Sequence, residues 1–476
     1  MHNVRKIQED LIYVGGNDRR LALFENHYPI PRGVSYNAYV VLDEKTVLLD
    51  TADAAISGQF LENVAYALGD RTLDYIIVNH MEPDHCANLG RLLERYPDMQ
   101  VICNSKTLGM IQQFFAEDVS DRATVVKEGD TFSSGRHVFT FVMAPMVHWP
   151  EVMVTYDTTD KILFSADAFG TWGALNGNLF NDDVNFDRDW LDDARRYYTN
   201  IVGKYGSQVQ ALLGKAAGLD IQMICPLHGP VIRSDFGYFL DKYQKWSTYE
   251  PEDNAVMIAY GTIYGGTANA AEILANKLAE RGVKNIVVYD TSATHSSYIL
   301  ADAFRCSHLV FASSTYNNGI FSSMEHLLHE LKAHNLSNRT VALMQNGSWG
   351  PNAGKQMKDL LEGMKNITIC ENVVTIRSAA NAAAEAQMDA LADEIARLDA
   401  HVVALCEVNN HDGVTSERLV EALKQRGQTW YGASGRCTGV QGTDVCVLSK
   451  YPIEEAVTGL STVPGGVDMK VRLDVN

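Results

Sequence analysis

Short apolar runs alternate with polar turns through the first half of the chain. Their β-branched and aromatic residues and their hairpin-like spacing predict strands, and helical periodicity lies between them near 58–68 and 89–96. The predicted strands are 37–42, 46–49, 75–78, 101–103, 139–143, 153–156 and 161–165. Strands that come early and in hairpin order, with helices between them, are typical of a mixed sheet sandwich covered by helices.

From residue 255 the pattern changes to strand, helix, strand, helix, which predicts a parallel, doubly wound α/β sheet. The strands are expected at 255–260, 284–289, 308–313 and 340–345, and the helices near 268–281, 322–334, 353–364 and 379–398. Between the halves, the stretch 247–254 is polar, contains a proline and lacks periodicity, so it is interpreted as a linker. We therefore predict segments at 1–248, 255–398 and 399–476.

Composition narrows the class of protein. With 46% hydrophobic and 21% charged residues the chain is typical of a folded globular protein. Its net charge of −19 provides no basic surface for nucleic acid. No apolar run approaches the length of a membrane span and no export signal is visible, so a cytoplasmic protein is expected. The eight cysteines are never spaced C-x-x-C, which argues against a disulfide framework, a zinc ribbon and a rubredoxin-type site.

A cluster of candidate metal ligands follows the predicted strand 75–78. The sequence His-Met-Glu-Pro-Asp-His offers four ligands within six residues, and three more follow short apolar strands further along. Residues that follow neighbouring strands can reach one cleft at the sheet edge, so a shared metal site is favoured over independent surface residues. The seven candidates, expected to be both metal-binding and catalytic, are His80, Glu82, Asp84, His85, His148, Asp167 and His228.

The pattern H-x-E-x-D-H, followed by these three residues, resembles the metallo-β-lactamase fold and in particular the flavodiiron (A-type flavoprotein) family. The resemblance extends over residues 1 to about 398 and implies an α/β protein with a metallo-β-lactamase-like αββα sandwich followed by a flavodoxin-like parallel sheet. It also implies two non-haem irons, one held by His80, Glu82 and His148, the other by Asp84, His85 and His228, with Asp167 between them. Trp149 is expected to pack over this site.

The second ligand of the motif bears on the metal. Hydrolytic zinc members of this fold have H-x-H-x-D-H, whereas Glu82 supplies a hard, anionic oxygen that suits iron. A zinc-dependent hydrolase of the same fold stays open as an alternative on this segment alone.

Three loops of the second segment predict an FMN site. Each follows a predicted parallel strand, where open α/β sheets bind ligands, and the first loop is rich in Gly and Thr whose amides and hydroxyls suit a phosphate. Tyr316 and Trp349 are expected to flank the flavin ring. These loops resemble those of flavodoxins, except that Gly266 stands where the family usually has Asn. The predicted FMN residues are Thr262, Ile263, Tyr264, Gly265, Gly266, Thr267, Ser314, Thr315, Tyr316, Asn317, Asn318, Gly319, Gly347, Ser348, Trp349 and Gly350.

The third segment resembles the opening part of an endonuclease/exonuclease/phosphatase domain, in which Glu407 matches a magnesium-binding glutamate. The later His and Asp groups of such domains are missing, so no activity is assigned to residues 399–476.

The resemblance implies an oxidoreductase that reduces dioxygen to water, nitric oxide to nitrous oxide, or both. A non-catalytic FMN electron carrier is the second alternative. The implied electron donor is a separate rubredoxin or similar reductase. The implied assembly is a head-to-tail homodimer, or a dimer of dimers, in which each flavin serves the partner's metal site.

Overall fold

The computed structural model describes residues 2–115, 118–398, 402–409, 416–424, 430–435, 443–449, 452–458 and 469–473. The chain divides into two compact units, Met1–Leu391 and Ala392–Asn476. In the described part of the chain, no helix has both the length and the apolar character needed to cross a membrane.

The first unit begins with a mixed sheet. The strands are β1 (Arg5–Lys6), β2 (Leu11–Tyr13), β3 (Gly16–Asp18), β4 (Leu23–Phe24), β5 (Tyr28–Pro29), β6 (Val34–Tyr36), β7 (Tyr39–Leu42), β8 (Thr46–Leu49), β9 (Tyr75–Ile77), β10 (Gln100–Cys103) and β11 (Ala123–Val125). The sheet order is β1-β2-β7-β8-β9-β10-β11, antiparallel up to β8 and parallel from β8 onward. Strands β3 and β6, and β4 and β5, form two small hairpin-like pairs.

A second sheet lies against the first. It contains β12 (Thr131–Ser133), β13 (Val138–Met143), β14 (Met153–Asp157), β15 (Ile162–Phe164) and β16 (Met223–Cys225), in that order. Alternate side chains of the two sheets share one buried core, in which Leu49 and Ile77 pack with Phe141 and Phe164. The intervening side chains face outward, because successive residues of a strand point to opposite faces.

Helices cover both outer faces. They are α1 (Ser57–Leu68), α2 (Pro83–Cys86), α3 (Leu89–Arg95), α4 (Ser105–Phe114), α5 (Phe186–Asp189), α6 (Leu191–Tyr197), α7 (Gly206–Ala216) and α8 (Phe236–Thr248), with short 3-10 or π turns at Ala54–Ile56, Ser120–Arg122, Asn181–Asp183, Tyr198–Val202 and Gly203–Tyr205. Phe60 of α1 and Leu212 of α7 lie in the core with outward-facing strand residues such as Leu48 and Leu163. The layers are therefore helix, sheet, sheet, helix, which confirms the predicted sandwich.

The second half of this unit is a parallel sheet. Its strands are β17 (Asp253–Gly261), β18 (Ile286–Asp290), β19 (Cys306–Tyr316), β20 (Gly319–Ile320), β21 (Arg339–Asn346), β22 (Ile367–Ile369) and β23 (Val374–Ile376), and its helices are α9 (Gly266–Glu280), α10 (Ser296–Arg305), α11 (Ser322–Ala333), α12 (Ala353–Leu361) and α13 (Ala382–Leu398). The order β18-β17-β19-β21-β22 is the 2-1-3-4-5 order of flavodoxins. Strands β22 and β23 both extend the β21 ladder. The predicted flavodoxin-like sheet is confirmed.

The connection between the halves is short and anchored. Helix α8 continues to Thr248 and β17 starts at Asp253, so only residues 249–252 lie outside regular structure. Within them Glu252 is 1% exposed at its side chain. Its carboxylate accepts hydrogen bonds from Arg195, from Lys242 at 2.9 Å and from the Trp246 indole at 2.6 Å. The polar composition that suggested a linker thus includes a buried charge that fixes the path of the chain.

The second unit contains β24 (Val402–Asn409), α14 (Ser416–Lys424), β25 (Tyr431–Gly435), β26 (Thr443–Ser449), β27 (Ile453–Thr458) and β28 (Met469–Leu473). Strands β24, β26 and β25 form an antiparallel sheet, and β27 pairs antiparallel with β28. The side chain of Glu407 lies outside the described part of the structure.

Candidate metal centre and nucleotide cavity

The first four candidate ligands lie on one turn. His80 and Glu82 lie in the segment after β9, and Asp84 and His85 lie in α2, which begins at Pro83. Proline is favoured at the first helical position because its φ is already helical and its missing N–H is not needed there. The turn therefore reverses the chain directly after the strand and aims four side chains inward, all of them less than 10% exposed.

The other three candidates come from the second sheet. His148 lies in the loop between β13 and β14, Asp167 follows β15, and His228 follows β16. All three are buried. The structure thus brings together all seven residues that the sequence singled out, in two adjoining groups of donor atoms.

The first group contains His80, Glu82, His148 and Asp167. The Glu82 Oε2 atom lies 3.3 Å from His80 Nε2 and 2.9 Å from His148 Nε2. The Asp167 Oδ2 atom lies 3.2 Å and 3.3 Å from the same two nitrogens. Two imidazoles and two carboxylates therefore converge on one point.

The second group contains Asp84, His85 and His228, together with the other oxygen of Asp167. His85 Nε2 lies 3.1 Å from His228 Nε2, 3.3 Å from Asp84 Oδ2 and 3.1 Å from Asp167 Oδ1. His228 Nε2 lies 3.3 Å from Asp84 Oδ2. Asp167 directs one oxygen to each group, so it occupies the position between them.

These distances and the unmade hydrogen bonds fit metal ions. Two ligands at about 2.1 Å from one ion and at right angles are roughly 3.0 Å apart, close to the separations in both groups. Both carboxylate oxygens of Asp84 and of Asp167 are buried without a hydrogen-bond partner in the structure. Burying an unpaired anion is costly, and a cation between the donors removes that cost. The donor set fits two divalent ions.

Electrostatics keep the carboxylates ionised. Burial alone would raise the pKa of Glu82, but hydrogen bonds with His148 and His80 hold it well below its usual range. Burial likewise opposes ionisation of Asp167, and the charges of His85 and His80 hold its pKa well below the ordinary value. Burial lowers the pKa of His148, but the nearby carboxylates of Asp167 and Glu82 outweigh that and raise the pKa to about 9. Glu82 and Asp167 therefore stay ionised beside imidazoles that carry protons, and a metal cation bound between these donors takes the place of those protons.

A further layer of hydrogen bonds orients the imidazoles. The carboxylate of Glu151 lies 2.8 Å from His80 Nδ1 and also accepts from the Met81 amide at 2.9 Å. The Ser35 carbonyl lies 2.7 Å from His228 Nδ1. Sequence reasoning missed both partners. The only sequence signal for Glu151 was its position, since it is an acidic residue three positions after His148 in the same loop.

Aromatic rings surround the centre. Trp149, expected to pack over the site, lies edge-on to His80 at 5.4 Å and to His148 at 6.1 Å. Tyr197 and Phe24 lie 5.4 Å and 5.6 Å from the His228 ring.

The hairpin of β4 and β5 also brings a carboxyl group to the centre that the sequence did not suggest. Glu25 is exposed to solvent, but partial desolvation and then the neighbouring charge of Glu82 raise its pKa above the ordinary value. His27, in the same hairpin, contacts Tyr28 and His295, and Tyr198 packs with Tyr243 and Trp246.

A second site lies at the carboxyl ends of β17, β19 and β21. The cavity there measures about 710 Å³. It contains most of the predicted FMN residues and three that were not predicted, Asn346, Ser378 and Ala379. The predicted residues in its lining are Thr262, Ile263, Tyr264, Gly266, Ser314, Thr315, Asn317, Asn318, Gly347, Ser348, Trp349 and Gly350.

The other four predicted residues do not line this cavity. Thr267 is buried and its hydroxyl lies 2.8 Å from that of Ser314, so it supports the loop from behind. Gly265 has a φ of +88°, which favours glycine, and its amide donates to the Thr262 hydroxyl at 3.1 Å. Gly319 pairs with Tyr316 in the β19–β20 hairpin, and the Tyr316 ring packs edge-on against Phe321 at 6.1 Å.

The structure gives a steric reason for glycine at position 266. A Cβ atom at this position would lie 2.1 Å from the Ser378 carbonyl oxygen. Ser378 is held there by Asn346, whose side chain bonds both its carbonyl and its amide at 3.1 Å and 3.0 Å. The segment around Ser378 therefore lies too close for a side chain at position 266, which explains why glycine stands where the family usually has Asn.

The two aromatic side chains at the mouth of the cavity are almost fully exposed. Tyr264 is 99% and Trp349 is 93% exposed. Tyr and Trp are enriched in protein interfaces relative to the rest of the surface. Their position suits stacking on a planar ring and contact with a second protein surface.

The first half is an αββα sandwich with two adjoining donor groups, and the second is a 2-1-3-4-5 parallel sheet with a cavity at its strand ends. This combination defines the class of flavoproteins that carry a metal centre on a metallo-β-lactamase fold. Family profiles match in the same order: ODP family beta lactamase over 34–229 and flavodoxin over 258–410. The endonuclease/exonuclease/phosphatase family profile matches 369–475. The chain belongs to the flavodiiron protein family.

Similar proteins agree with this assignment. The chain is 30% identical over 361 residues to an anaerobic nitric oxide reductase flavorubredoxin of Escherichia coli O1:K1 / APEC, covering 75% of this chain and 74% of that protein. The rubredoxin oxygen:oxidoreductase of Desulfovibrio gigas superposes with a TM-score of 0.78 at 28% identity, covering 83% of this chain and 98% of that one. A flavo di-iron protein variant from Thermotoga maritima gives a TM-score of 0.77 at 26% identity, covering 84% and 99%.

Proposed function

We propose that this protein is a flavodiiron oxidoreductase that reduces dioxygen to water, nitric oxide to nitrous oxide, or both. The observation that carries the proposal is the convergence of seven buried donors into two groups that share Asp167. In a chain of the flavodiiron family, that arrangement supports a two-iron centre fed by FMN.

The proposed ligand assignment follows the two groups. One iron would be held by His80, Glu82 and His148, the other by Asp84, His85 and His228, and Asp167 would contribute to both positions. When bound, the two irons supply electrons to the gas, and FMN replaces those electrons. Three carboxylates beside four imidazoles make a hard, anionic donor set, which favours iron over the softer zinc sites of hydrolases.

The chain's own groups hold and shield this centre. Glu151 and the Ser35 carbonyl fix the ring orientations of His80 and His228 and leave the Nε2 atoms facing inward. Trp149, Tyr197 and Phe24 surround the imidazoles with apolar ring surface, which limits the access of water. A small uncharged substrate fits such a site better than a large polar one.

The proposed FMN site uses backbone and hydroxyl groups. The N-terminus of α9 follows the Thr262–Gly266 loop, and the amides of a helix N-terminus favour the phosphate of FMN. Trp349 at the mouth provides a surface on which the flavin ring stacks. This cradle contains no Lys or Arg, so amides and hydroxyls carry the anion binding.

The proposed assembly is a head-to-tail homodimer in which each FMN serves the partner's irons, with a separate rubredoxin or similar reductase as electron donor. The exposed Tyr264 and Trp349 at the FMN cavity support a surface that a partner covers. The rubredoxin oxygen:oxidoreductase relative supports the donor class. We keep the segments 1–248, 255–398 and 399–476 as the proposed domains and propose no activity for the last.

Metal and flavin analysis tests the proposal. We expect two irons and one FMN per chain, and oxidation of the anaerobically reduced protein by dioxygen or nitric oxide. Asp167→Ala removes one donor from each group, so we expect iron to fall at both positions while FMN stays bound. Zinc without flavin, or full iron content and gas reduction in Asp167→Ala, contradicts the proposal.

A further inference from the structure

We infer that the sandwich holds a built-in gas-binding cavity that leads from the protein surface to the proposed diiron centre. The cavity lies between α7, α8 and the outer face of the second sheet and measures about 250 Å³. The inference deepens the proposed function, because it assigns the place where the gas is held before it reaches the metal.

The walls of the cavity are apolar. Nearly all of its lining is aliphatic or aromatic, with Leu212, Val209 and Ile224 among the buried side chains. Its two hydroxyl groups are already engaged. Ser165 Oγ donates to the Ala168 carbonyl at 2.7 Å, and the Tyr243 hydroxyl accepts a hydrogen bond from the Phe169 amide.

This chemistry selects small uncharged molecules. A water molecule needs two to four polar partners, and a cavity without them stays dry and takes up apolar guests such as xenon at about 150 Å³. Dioxygen and nitric oxide are small, uncharged and weakly hydrated, so the same walls favour them over water and over ions. A polar hydrolase substrate gains nothing from this surface.

The inner end of the cavity adjoins the metal-ligand candidates. Val147 directly precedes His148 and Ala168 directly follows Asp167, and both residues line the cavity. His148 and Asp167 belong to the same donor group. The inner end of the cavity is therefore lined by the same two loops that carry the ligand candidates His148 and Asp167.

The outer end opens between the two helices. Leu240 of α8 lines the cavity and is 45% exposed, and Ala216 is the last residue of α7. An apolar side chain exposed at the rim of an apolar cavity provides an entrance for a molecule that partitions out of water. The route therefore runs from the α7–α8 surface to the loops of His148 and Asp167.

Xenon and a rim-filling variant test this inference. Crystals of the iron- and FMN-loaded protein under xenon should show an atom among Leu212, Phe169 and Ala168. Ala216→Phe places a ring in the rim and should abolish that xenon site. It should also lower the second-order rate of reaction with dissolved gas about fivefold, with little change at saturating gas. Ala211→Phe, on the exposed side of the same helix, is the matched control and should keep both properties.

Circular dichroism and the iron and FMN contents show whether each variant is folded. If Ala216→Phe does not fold, Leu213→Phe, which also lines the cavity, replaces it. Absence of xenon from the cavity in the unmodified protein overturns the inference. So does a variant that excludes xenon yet reacts with gas at the original rate. Xenon bound as expected in a loaded protein that reduces neither gas supports the cavity and refutes the proposed function instead.

Discussion

Replacing Glu151 by glutamine tests how the hydrogen bonds behind the ligands act on the metal. Glu151 is fully buried, accepts from the Met81 amide and lies 2.8 Å from His80 Nδ1. Glutamine keeps the shape and one accepting oxygen but removes the negative charge. The substitution therefore isolates the electrostatic support that the carboxylate gives to the His80 imidazole.

The expected loss of metal affinity in Glu151→Gln follows from the position of Glu151 behind one imidazole. Partners that orient a metal-bound imidazole typically contribute about 10- to 100-fold in metal affinity, roughly 1.4–2.8 kcal/mol. Only His80 depends on Glu151 in this way, and His80 belongs to the first donor group. We therefore expect weaker binding of one iron and a nearly unchanged second iron.

Chelator competition on the fully loaded protein, followed by iron-specific spectroscopy, measures the two affinities separately. Glu128→Gln is the matched control, because Glu128 also accepts from a backbone amide, that of Met143, but lies 51% exposed at its side chain and away from the ligand candidates. Equal loss of both irons, or unchanged affinity for both in Glu151→Gln, would refute the reasoning.

Three further predictions concern the metal, the flavin loop and the joint between the halves. Glu82→His recreates the hydrolase-type motif and should shift loading toward zinc in mixed-metal competition; unchanged iron selectivity would contradict the argument from ligand hardness. Gly266→Asn should weaken FMN binding at least about tenfold in a flavin titration, because its Cβ would meet the Ser378 carbonyl, whereas Gly58→Asn, in α1 with open space around it and outside the cavity, should bind FMN normally. Burial opposes ionisation of Glu252, but the Arg195 hydrogen bond and charge lower its pKa from 4.5 to about 2. A lowered carboxyl pKa stabilises the folded state above the unfolded value, so Glu252→Gln should cost about 3 kcal/mol at pH 7. The melting-temperature difference from the unmodified protein should shrink as the pH falls from about 5 to 2, and a constant difference would contradict it.

Short apolar runs predicted many of the strands, because strands such as β8 and β14 lie between helices and a second sheet and are buried on both faces. Sequence reasoning missed α10 (Ser296–Arg305), although this helix has a buried apolar face, and helices of the first half such as α4 and α7. It also missed the strands β22 and β23, which are too short at three residues each to show a pattern. The metal-ligand candidates could be predicted from the sequence because each comes shortly after a strand, and the ends of strands that run in the same direction meet at one edge of a sheet.

The supporting residues were harder to predict. Glu151 reaches His80, and Asn346 reaches Ser378, only through tertiary packing between segments far apart in sequence. The ring of Tyr316 was expected at the flavin and instead contacts Phe321, because the tight β19–β20 hairpin turns it aside. A local pattern cannot report such a turn, since it depends on which strand the chain pairs with next.

The anchored connection between the halves has a consequence for association. Glu252 holds one side of it through Arg195, Lys242 and Trp246, and the buried Arg339 guanidinium donates to the Tyr249 carbonyl at 2.7 Å on the other. These hydrogen bonds restrain rotation of the two halves about the connection, so less of that freedom would be lost if the proposed homodimer forms. A restrained connection would thus reduce the entropic penalty of forming that proposed assembly, beside the losses of whole-body motion and side-chain freedom that any association carries.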